Sequence, residues 1–296
     1  MRRAAGEWCA LRDPGEWRRY LGDRGISLPH RHIFGEQVMR LSGKTVLVTG
    51  AASGLGRGVA TYFASHLDCN VIALDMGKEG LSTLEQEVGS DRIAGVQADV
   101  TERESVASAL EAGVERFGAI DVCLNFAGVV SPVHIVARDG QGVELDRFAR
   151  AVAVNLTGTF NVMAQCAGYM KRNREDENGE RGVVVNIASA AAFDGQVGQA
   201  AYASSKAGVV GLSLPAAREL ARVGIRVNCI APGAFDTPML RSVPATVVDR
   251  IVETVQFPKR TGKIEEVAGL CVHLCENSYI NGECIRLDAA MRMPPH

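Results

Sequence analysis

The sequence lacks the features of a membrane protein or a nucleic-acid-binding protein. Its 296 residues include no apolar run of the roughly 18 residues that a membrane-spanning helix needs, so no membrane segment is predicted. The 32 lysines and arginines are balanced by 34 acidic residues, which gives no support for a nucleic-acid surface. Aromatic residues make up only 5% of the chain, and no internal repeat is visible. This ordinary globular composition suits one large α/β domain or two small ones.

The eight cysteines lack the regular spacing that a disulfide scaffold shows in a small protein. Only the stretch "CVHLC", with Cys271, His273 and Cys275, resembles part of a zinc site. A zinc site needs four ligands, and no second cluster accompanies this one. We therefore predict that Cys271 and Cys275 are a core-facing pair on a helix and that there is no metal site.

Residues 1–40 differ in composition from the rest of the chain. They are rich in arginine and contain both tryptophans, without hydrophobic periodicity. A mitochondrial transit peptide is also rich in arginine, but it is poor in acids, and this segment carries five acidic residues. We predict an N-terminal extension that is a disordered arm or lies upstream of the true start, with targeting as the alternative. "MRLSGKTVLVTG" would then begin the protein at Met39, and residues 41–296 would form the folded domain.

The rest of the chain alternates between short buried strands and helices. Such alternation predicts βαβ units and a parallel sheet covered on both faces. The fold class is therefore α/β, a doubly wound parallel sheet in a single Rossmann-fold domain. The strand-like stretches are "KTVLVTG" (44–50), "NVIALD" (70–75), "RIAGVQAD" (92–99), "IDVCLNFAG" (120–128), "GVVVNIAS" (182–189), "IRVNCIAPG" (225–233) and "CIRLD" (284–288).

Two details of the helical regions lead to separate predictions. The charged stretch "RNREDENGERG" (172–182) is expected to be a solvated loop between a helix and a strand. Pro215 falls inside the helix that should follow the fifth strand. Because proline has no backbone N–H and clashes with the preceding turn, a bend or break is predicted between Gly211 and Pro215.

A glycine-rich turn, "TGAASGLG", joins the first strand to its helix. Gly50 would permit the tight turn, Gly54 would let the backbone approach a diphosphate, and Gly56 would let the helix pack against the sheet. The free N–H groups at the helix N-terminus would then bind the anion, with Ser53 adding a hydroxyl. A strand before the turn and a helix after it support this interpretation, which is weak for a glycine pattern alone.

An acid at the end of the second strand selects between the two nicotinamide cofactors. Asp75 can accept hydrogen bonds from both ribose hydroxyls of the adenosine and would repel a 2′-phosphate, which favours NAD over NADP. Arg57 is the one residue of the loop that could instead meet a phosphate, although a solvent-facing position is the alternative. Asp99 is placed to meet the adenine amine beside Val100, or else to cap the next helix.

Tyr202 and Lys206 stand four residues apart in "AYASSKAG". On a helix they share one face, and a nearby ammonium favours the phenolate form of tyrosine. A phenolate can act as a general base. The spacing by itself occurs by chance in many helices, so the interpretation depends on its context.

That context is a set of motifs in a fixed order: "TGAASGLG", "NFAG", "VNLTGTF", Ser189, "YASSK" and "APG". With them the chain, from about residue 42 onward, resembles the short-chain dehydrogenase/reductase family. Within that family "APGAFDTPML" and "NGECIRLDAAMRM" are similar to the type II 3-hydroxyacyl-CoA dehydrogenases, also called 17β-hydroxysteroid dehydrogenase type 10. Phe126 is a departure, because many relatives have Asn or Cys at that position.

The resemblance implies a role for each of four residues. Tyr202 would be the acid/base, and Lys206 would lower the pKa of Tyr202 and hydrogen-bond the nicotinamide ribose. Ser189 would position the substrate oxygen together with Tyr202. Asn155 would anchor a water that passes the proton to solvent, and its alternative role is to bend the helix. The predicted cofactor-binding residues are Gly50, Ser53, Gly54, Leu55, Gly56, Asp75, Asp99, Val100, Phe126, Ala127, Gly128, Tyr202, Lys206, Phe235 and Thr237.

The implied reaction is the NAD-dependent interconversion of a 3-hydroxyacyl-CoA and a 3-oxoacyl-CoA. The alternatives are a hydroxysteroid or other secondary-alcohol dehydrogenase, and an NAD-bound scaffold with a non-catalytic partner role. Residues 234–262 are expected to form a substrate flap. Four cations in or beside it would contact the phosphates of coenzyme A or be ordinary surface charges; these are Arg241, Lys259, Arg260 and Lys263. The resemblance also implies a homotetramer, located in the mitochondrial matrix of a eukaryote or otherwise in the cytoplasm.

Overall fold

The computed structural model describes residues 39, 41–132, 134–136, 140, 145–241 and 244–295. The predicted N-terminal extension therefore lies outside the described residues, except for Met39. The structure leaves the expectations about this segment untested.

Seven strands form a single parallel sheet in the described part of the chain. They are β1 (Thr45–Thr49), β2 (Asn70–Asp75), β3 (Ile93–Gln97), β4 (Val122–Asn125), β5 (Gly182–Ile187), β6 (Ile225–Pro232) and β7 (Cys284–Leu287). Their spatial order is β3-β2-β1-β4-β5-β6-β7, with every neighbouring pair parallel. The direction of winding reverses between β1 and β4, and this reversal opens a crevice at the carboxyl ends of the strands. The predicted doubly wound sheet is confirmed.

Helices connect successive strands. They are α1 (Gly54–His66), α2 (Lys78–Val88), α3 (Arg103–Phe117), α4 (Leu145–Val152), α5 (Thr159–Met170), α6 (Ala200–Leu220), α7 (Pro238–Arg241), α8 (Ala245–Thr254) and α9 (Ile264–Glu276). A π-helical segment, Ala153–Gly158, joins α4 to α5 without interruption. Across the described ranges, no helix combines the length and the apolar character needed to cross a bilayer.

The sheet is covered on both faces, as the apolar strands require. All five residues of β1 are buried, and alternate side chains point to opposite faces. Val46 and Val48 pack in one core with Phe63 of α1 and Leu274 of α9. Leu47 packs in the other core, which also contains Leu110 of α3 and Met170 of α5. A strand that is apolar at every position suits only a sheet with two covered faces.

The two cysteines of "CVHLC" lie on the core side of α9. Cys271 and Cys275 are both fully buried, and burial raises the pKa of the Cys271 thiol to about 12. Neither thiol therefore ionises readily, and it is the thiolate form of cysteine that binds a metal ion. The predicted core-facing pair is confirmed. Among the residues that the structure describes, no three His, Cys, Asp or Glu side chains are grouped to hold a metal ion.

The helix that contains Pro215 does not break. α6 continues as one helix over Ala200–Leu220, with Pro215 in its interior. The missing hydrogen bond concerns the carbonyl of Gly211, one turn earlier. Gly211 and Pro215 are both exposed on this helix, so water can hydrate that carbonyl. The predicted break was wrong because proline is tolerated where the solvent replaces the lost donor, and the alternative of a bend stays a prediction.

The charged stretch between α5 and β5 is mostly exposed, but Glu180 is buried and ion-paired with Arg226 of β6. Arg226 Nε lies 3.0 Å from Glu180 Oε2, and Arg226 Nη2 lies 2.9 Å from Oε1. The same guanidinium donates to the carbonyl oxygens of Leu274, Cys275 and Ile280. The expectation of a solvated loop is thus wrong at Glu180, whose partner Arg226 lies 46 positions later in the chain.

We predict that Glu180→Gln lowers the free energy of unfolding by about 3 kcal/mol, because it leaves a buried guanidinium without its counter-charge. Glu175→Gln is the matched control: Glu175 pairs with Arg181, and the two side chains are 55% and 28% exposed. That change should cost less than about 1 kcal/mol. Urea unfolding of both variants measures the difference, and equal losses would contradict this account.

Candidate active site

A cleft of about 640 Å³ lies at the carboxyl ends of the central strands. All 15 of the predicted cofactor-binding residues line it, as does Ser189. Asn155 does not line it and lies behind the cleft wall. Segments that are far apart in the sequence, from the glycine-rich turn to the loop after β6, therefore meet at one site. The role of each residue stays a prediction.

The glycine-rich turn fits tightly against its neighbours. Gly50 has a φ of +69°, and a Cβ there would lie 2.9 Å from the backbone nitrogen of Ala127. A Cβ on Gly56 would lie only 2.3 Å from the Gly50 carbonyl oxygen. Thr49 Oγ1 accepts a hydrogen bond of 3.0 Å from the Ala127 N–H, which joins the turn to the end of β4. A side chain at Gly50 or Gly56 would therefore clash with the neighbouring backbone.

Asp75 is fixed at the outer end of the cleft by backbone donors. Its Oδ2 accepts from the Ala52 N–H at 3.1 Å, and its Oδ1 accepts from the Gly77 N–H at 2.8 Å. Arg57 points elsewhere: Nη1 donates to the Gly80 carbonyl at 2.7 Å and Nη2 pairs with Glu87 at 2.7 Å. Arg57 is therefore engaged with α2. Neither of the two sequence alternatives, a phosphate contact or a solvent-facing position, describes it fully.

Asp99 is not a helix cap. α3 begins at Arg103, and the residue before it is Glu102. The carboxylate of Asp99 instead accepts from the backbone N–H and the hydroxyl of Thr101, at 2.9 Å and 2.7 Å. The capping alternative was wrong because the chain makes a local turn after β3 before the helix starts. The carboxylate is left at the cleft wall beside Val100.

Lys206 is buried at the inner end of the cleft. Its Nζ donates to the carbonyl oxygen of Ile187, at the end of β5, over 2.8 Å. A Cβ on Gly128 would come within 3.2 Å of this nitrogen, so the backbone after β4 lies directly against it. Burial lowers the pKa of Lys206 to about 8. The carbonyl oxygen of Ile187 thus holds the ammonium group in place beside the cleft.

Tyr202 is partly buried beside Ser189, and its ring centroid lies 6.0 Å from Lys206 Nζ. Burial raises the pKa of Tyr202 above its usual value, and the Ser189 hydroxyl opposes that rise. The expected lowering of this pKa by Lys206 is not what the present geometry gives. The group that opposes the rise in pKa is the Ser189 hydroxyl.

Asn155 is fully buried within the π-helical segment. Its Oδ1 accepts from the Val129 N–H at 2.8 Å, and its Nδ2 donates to the Val129 carbonyl and to Ser205 Oγ. The side chain is therefore committed to protein groups. Its main-chain carbonyl accepts from Thr159 Oγ1. The expected role in anchoring a water stays a prediction. The location in a π-helical segment agrees with the helix-bending alternative.

Several cleft residues were not identified from the sequence. Most directly follow or adjoin predicted residues, and that proximity was the only signal available; these are Met76, Thr101, Val129, Val130, Ile187 and Ala188. Arg150 of α4 also lines the cleft, and nothing in the sequence pointed to it. Arg150 reaches the cleft because of the way α4 packs in the folded protein.

The cations expected near coenzyme A are largely engaged with the protein. Arg241 makes a two-pronged pair with Asp236, and Arg260 makes another with Glu266. Lys259 donates to a backbone carbonyl at 3.2 Å. These contacts favour the surface-charge alternative for the two arginines. Phosphate binding at either arginine would have to replace or share a carboxylate.

We predict that Lys206→Met makes the free protein more stable at pH 7, by about 1–2 kcal/mol after allowance for the lost bond to Ile187. The pKa of Lys206 is lower in the folded protein than in the unfolded chain, so its charge destabilises the fold below pH 8. That cost decreases as the pH rises from about 8 towards 10.5, the pKa of lysine in the unfolded chain. The difference in the free energy of unfolding between Lys206→Met and wild type should therefore become smaller over this range.

Urea unfolding from pH 7 to 10.5 tests this, with exposed Lys171→Met as the control that should show little change. A Lys206→Met protein that is less stable than wild type at pH 7 would contradict the prediction.

Comparison with known proteins agrees with this geometry. A family model described as short chain dehydrogenase matches residues 44–247. The protein named 3-hydroxyacyl-CoA dehydrogenase type-2 from Bos taurus is 44% identical over 256 residues, which cover 86% of this chain and 97% of the relative. A 3-oxoacyl-(acyl-carrier-protein) reductase from Thermotoga maritima is 35% identical over 257 residues, which cover 86% and 99%.

A solved structure extends the similarity to three dimensions. The crystal structure of 3-hydroxyacyl-CoA dehydrogenase type-2 from Mycobacterium avium has 37% sequence identity and a TM-score of 0.81, covering 87% of this chain and 99% of that one. The resemblance noted in the sequence is thereby confirmed. The chain belongs to the short-chain dehydrogenase/reductase family and is an oxidoreductase closely related to 3-hydroxyacyl-CoA dehydrogenase type-2.

Proposed function

We propose that this protein is an NAD-dependent dehydrogenase that interconverts a 3-hydroxyacyl-CoA and a 3-oxoacyl-CoA. The observation that carries the proposal is the placement of Ser189, Tyr202 and Lys206 at the inner end of one cleft, with Asp75 at its outer end. The names of the relatives supply the substrate class, and the geometry supports the type of reaction.

The cleft suits a dinucleotide with a free 2′-hydroxyl. The glycine-rich turn leaves room for a diphosphate at Gly54, because a Cβ built there would meet no atom within 4 Å, and the N-terminus of α1 offers backbone N–H groups beside it. Asp75 presents its carboxylate to the adenosine ribose and would repel a 2′-phosphate. Arg57, which could have balanced that phosphate, is bound to Gly80 and Glu87. These contacts support NAD as the cofactor.

The residues at the inner end would handle the proton. When bound, the nicotinamide supplies the acceptor or donor of a hydride. Tyr202 takes the hydroxyl proton of the alcohol in one direction and returns a proton to the developing alkoxide in the other. Ser189 orients the substrate oxygen towards the phenol. Lys206 brings a positive charge to the same place and is within reach of a ribose hydroxyl beside Gly128.

The substrate would enter beneath the segment that follows β6. This segment contains α7 and α8, and Val255 and Ile251 pack with Ala190, directly after Ser189. The segment as a whole is apolar with interspersed charge, which suits an acyl chain. It also suits a steroid, so its composition supports a class of apolar substrates and the relatives select the acyl thioester.

The same proposal includes a homotetramer, located in the mitochondrial matrix of a eukaryote or otherwise in the cytoplasm. Phe160 on α5 is 52% exposed and Leu214 on α6 is 45% exposed. Apolar side chains exposed on two long helices support association with further copies. Sedimentation of the purified protein would measure the oligomeric state.

We predict that the protein oxidises NADH in the presence of acetoacetyl-CoA and that Tyr202→Phe lowers kcat at least ~100-fold, because the proton donor is lost. Steady-state NADH absorbance measures both. A 3-oxo steroid serves as the alternative substrate. Turnover of the steroid alone would move the function to a hydroxysteroid dehydrogenase. NADH binding without turnover of any candidate would favour a scaffold that keeps its cofactor.

We also predict that NADH is preferred to NADPH by about 100-fold in kcat/KM, because a carboxylate beside a phosphate is strongly repelled. Asp75→Ser should narrow that ratio by improving the use of NADPH. Asp99→Ser is the matched control, because Asp99 is also a cleft carboxylate but is predicted to meet the adenine. An equal change in the two variants would contradict the assignment of Asp75.

A further inference from the structure

The C-terminal tail, residues 288–295, is hydrogen-bonded to the segment that follows Ser189. The carbonyl oxygen of Pro295 accepts from the Val197 N–H at 3.0 Å, and that of Pro294 accepts from Gln196 Nε2 at 3.0 Å. The tail therefore runs beside the chain that leads from β5 into the catalytic helix α6.

Arg286, at the end of β7, is the centre of this contact. Its Nη2 lies 2.5 Å from Asp194 Oδ2, and its Nε lies 2.7 Å from Asp288 Oδ2. Nη2 also donates to the Met291 carbonyl at 3.2 Å, and the guanidinium lies 5.0 Å from the centroid of the Phe193 ring. The side chains of Arg286 and Asp194 are only 20% and 18% exposed, so solvent screens the pair weakly.

Asp194 is joined to Ser189 by one short hydrogen-bonded turn. The Ala192 N–H donates to the Ser189 carbonyl, and the Asp194 N–H donates to the Ala190 carbonyl, each at 3.0 Å. Ser189 Oγ accepts from the Ala191 N–H at 3.2 Å. A displacement of Asp194 would therefore be transmitted to the hydroxyl of Ser189.

The backbone of the tail is held in an unusual conformation. Ala289 and Ala290 have φ values of 50° and 57°, in the left-handed region that residues other than glycine rarely adopt. The Ala290 N–H donates to Asp288 Oδ1, and Met291 is buried in a cluster with Ala190. Two adjacent alanines keep such a conformation only when their surroundings enforce it, and such places are enriched at functional sites.

We propose that Arg286 is a positioning residue for the reaction: by bridging Asp194 and Asp288, it uses the C-terminal tail to fix the turn that carries Ser189. This inference deepens the proposed function and rests on it for the reaction that Ser189 serves. Arg286 does not line the cleft, so its effect would pass through the turn and not through substrate or cofactor.

The proposal has a consequence for Tyr202 that a purely structural role would not have. The Ser189 hydroxyl lowers the pKa of Tyr202 against the effect of burial. If Ser189 moves away, that pKa should rise. The charged group near the Tyr202 ring is Lys206 of the same helix, whose Nζ lies 6.0 Å from the ring centroid. Arg286 does not contact Lys206.

The experiment compares Arg286→Gln with Arg292→Gln in the full-length protein. Arg292 also contacts Asp288, at 3.2 Å, but its side chain is 61% exposed, and its other hydrogen bond goes to the Met291 carbonyl rather than to Asp194. For acetoacetyl-CoA reduction, Arg286→Gln should lower kcat about tenfold or more, because small misplacements near the reacting group are costly. The Kd of NADH, from its fluorescence, should stay within about twofold of wild type. Arg292→Gln should match wild type in both.

The pH profile provides the distinguishing readout. In the direction of alcohol oxidation, the rate rises as Tyr202 ionises, so Arg286→Gln should move this rising limb to higher pH. Asp194→Asn breaks the same pair from the other side and should give the same shift, which covers the case in which Arg286→Gln fails to fold. A folded Arg286→Gln or Asp194→Asn protein with unchanged kcat and an unchanged pH profile would overturn the proposal.

Failure of the proposed function can be told apart from failure of this inference. If wild type turns over no acyl-CoA, the proposed function is wrong. Ultraviolet difference titration against Tyr202→Phe still reports the ionisation of Tyr202 without any substrate. A raised Tyr202 pKa in Asp194→Asn, absent in Arg292→Gln, would support the role of Arg286, and no difference between them would overturn it.

Discussion

Lys206 keeps an ammonium group out of water, with the Ile187 carbonyl as its hydrogen-bond acceptor. Much of the site depends on this costly placement. The nitrogen can be buried only because β5 ends where its carbonyl faces α6, and because Gly128 leaves space beside it. Burial lowers the pKa of Lys206, because the charged form of the amine is disfavoured away from water. A bound dinucleotide would bring polar and charged groups to the same cleft.

The rest of the cleft wall is organised around that group by short local contacts. Asn155 holds the backbone of Val129 from behind, and Thr49 holds the backbone of Ala127 from below. Both side chains are used to fix backbone and not to reach into the cleft. A site made largely of backbone needs such supports, because backbone position decides which hydrogen-bond groups face the ligand.

Some charged residues form ion pairs within the fold, and others lie at the cleft. Arg226 and Glu180 form a buried pair between β6 and the loop before β5, away from the cleft. Arg57 is engaged with α2, although it stands beside the glycine-rich turn. Arg286 connects the tail to the turn after Ser189. These arginines are thus paired within the protein, whereas the carboxylates of Asp75 and Asp99 line the cleft.

The sequence by itself determined the fold class, the positions of the strands and the residues that meet in the cleft. The fold prediction rests on local patterns: apolar strands buried on both faces, a glycine turn between strand and helix, and motifs at strand ends that a parallel sheet brings to one edge. Some cleft residues, such as Phe235 and Thr237, were instead implied by the family resemblance. Tertiary structure decided the rest. The burial of Glu180, the engagement of Arg57 and the bridge made by Arg286 each depend on a partner at least 23 positions away in the chain. The continuity of α6 through Pro215 depends on which side of the helix faces water. Contacts of this kind are set by how elements pack, and no local pattern carries that information.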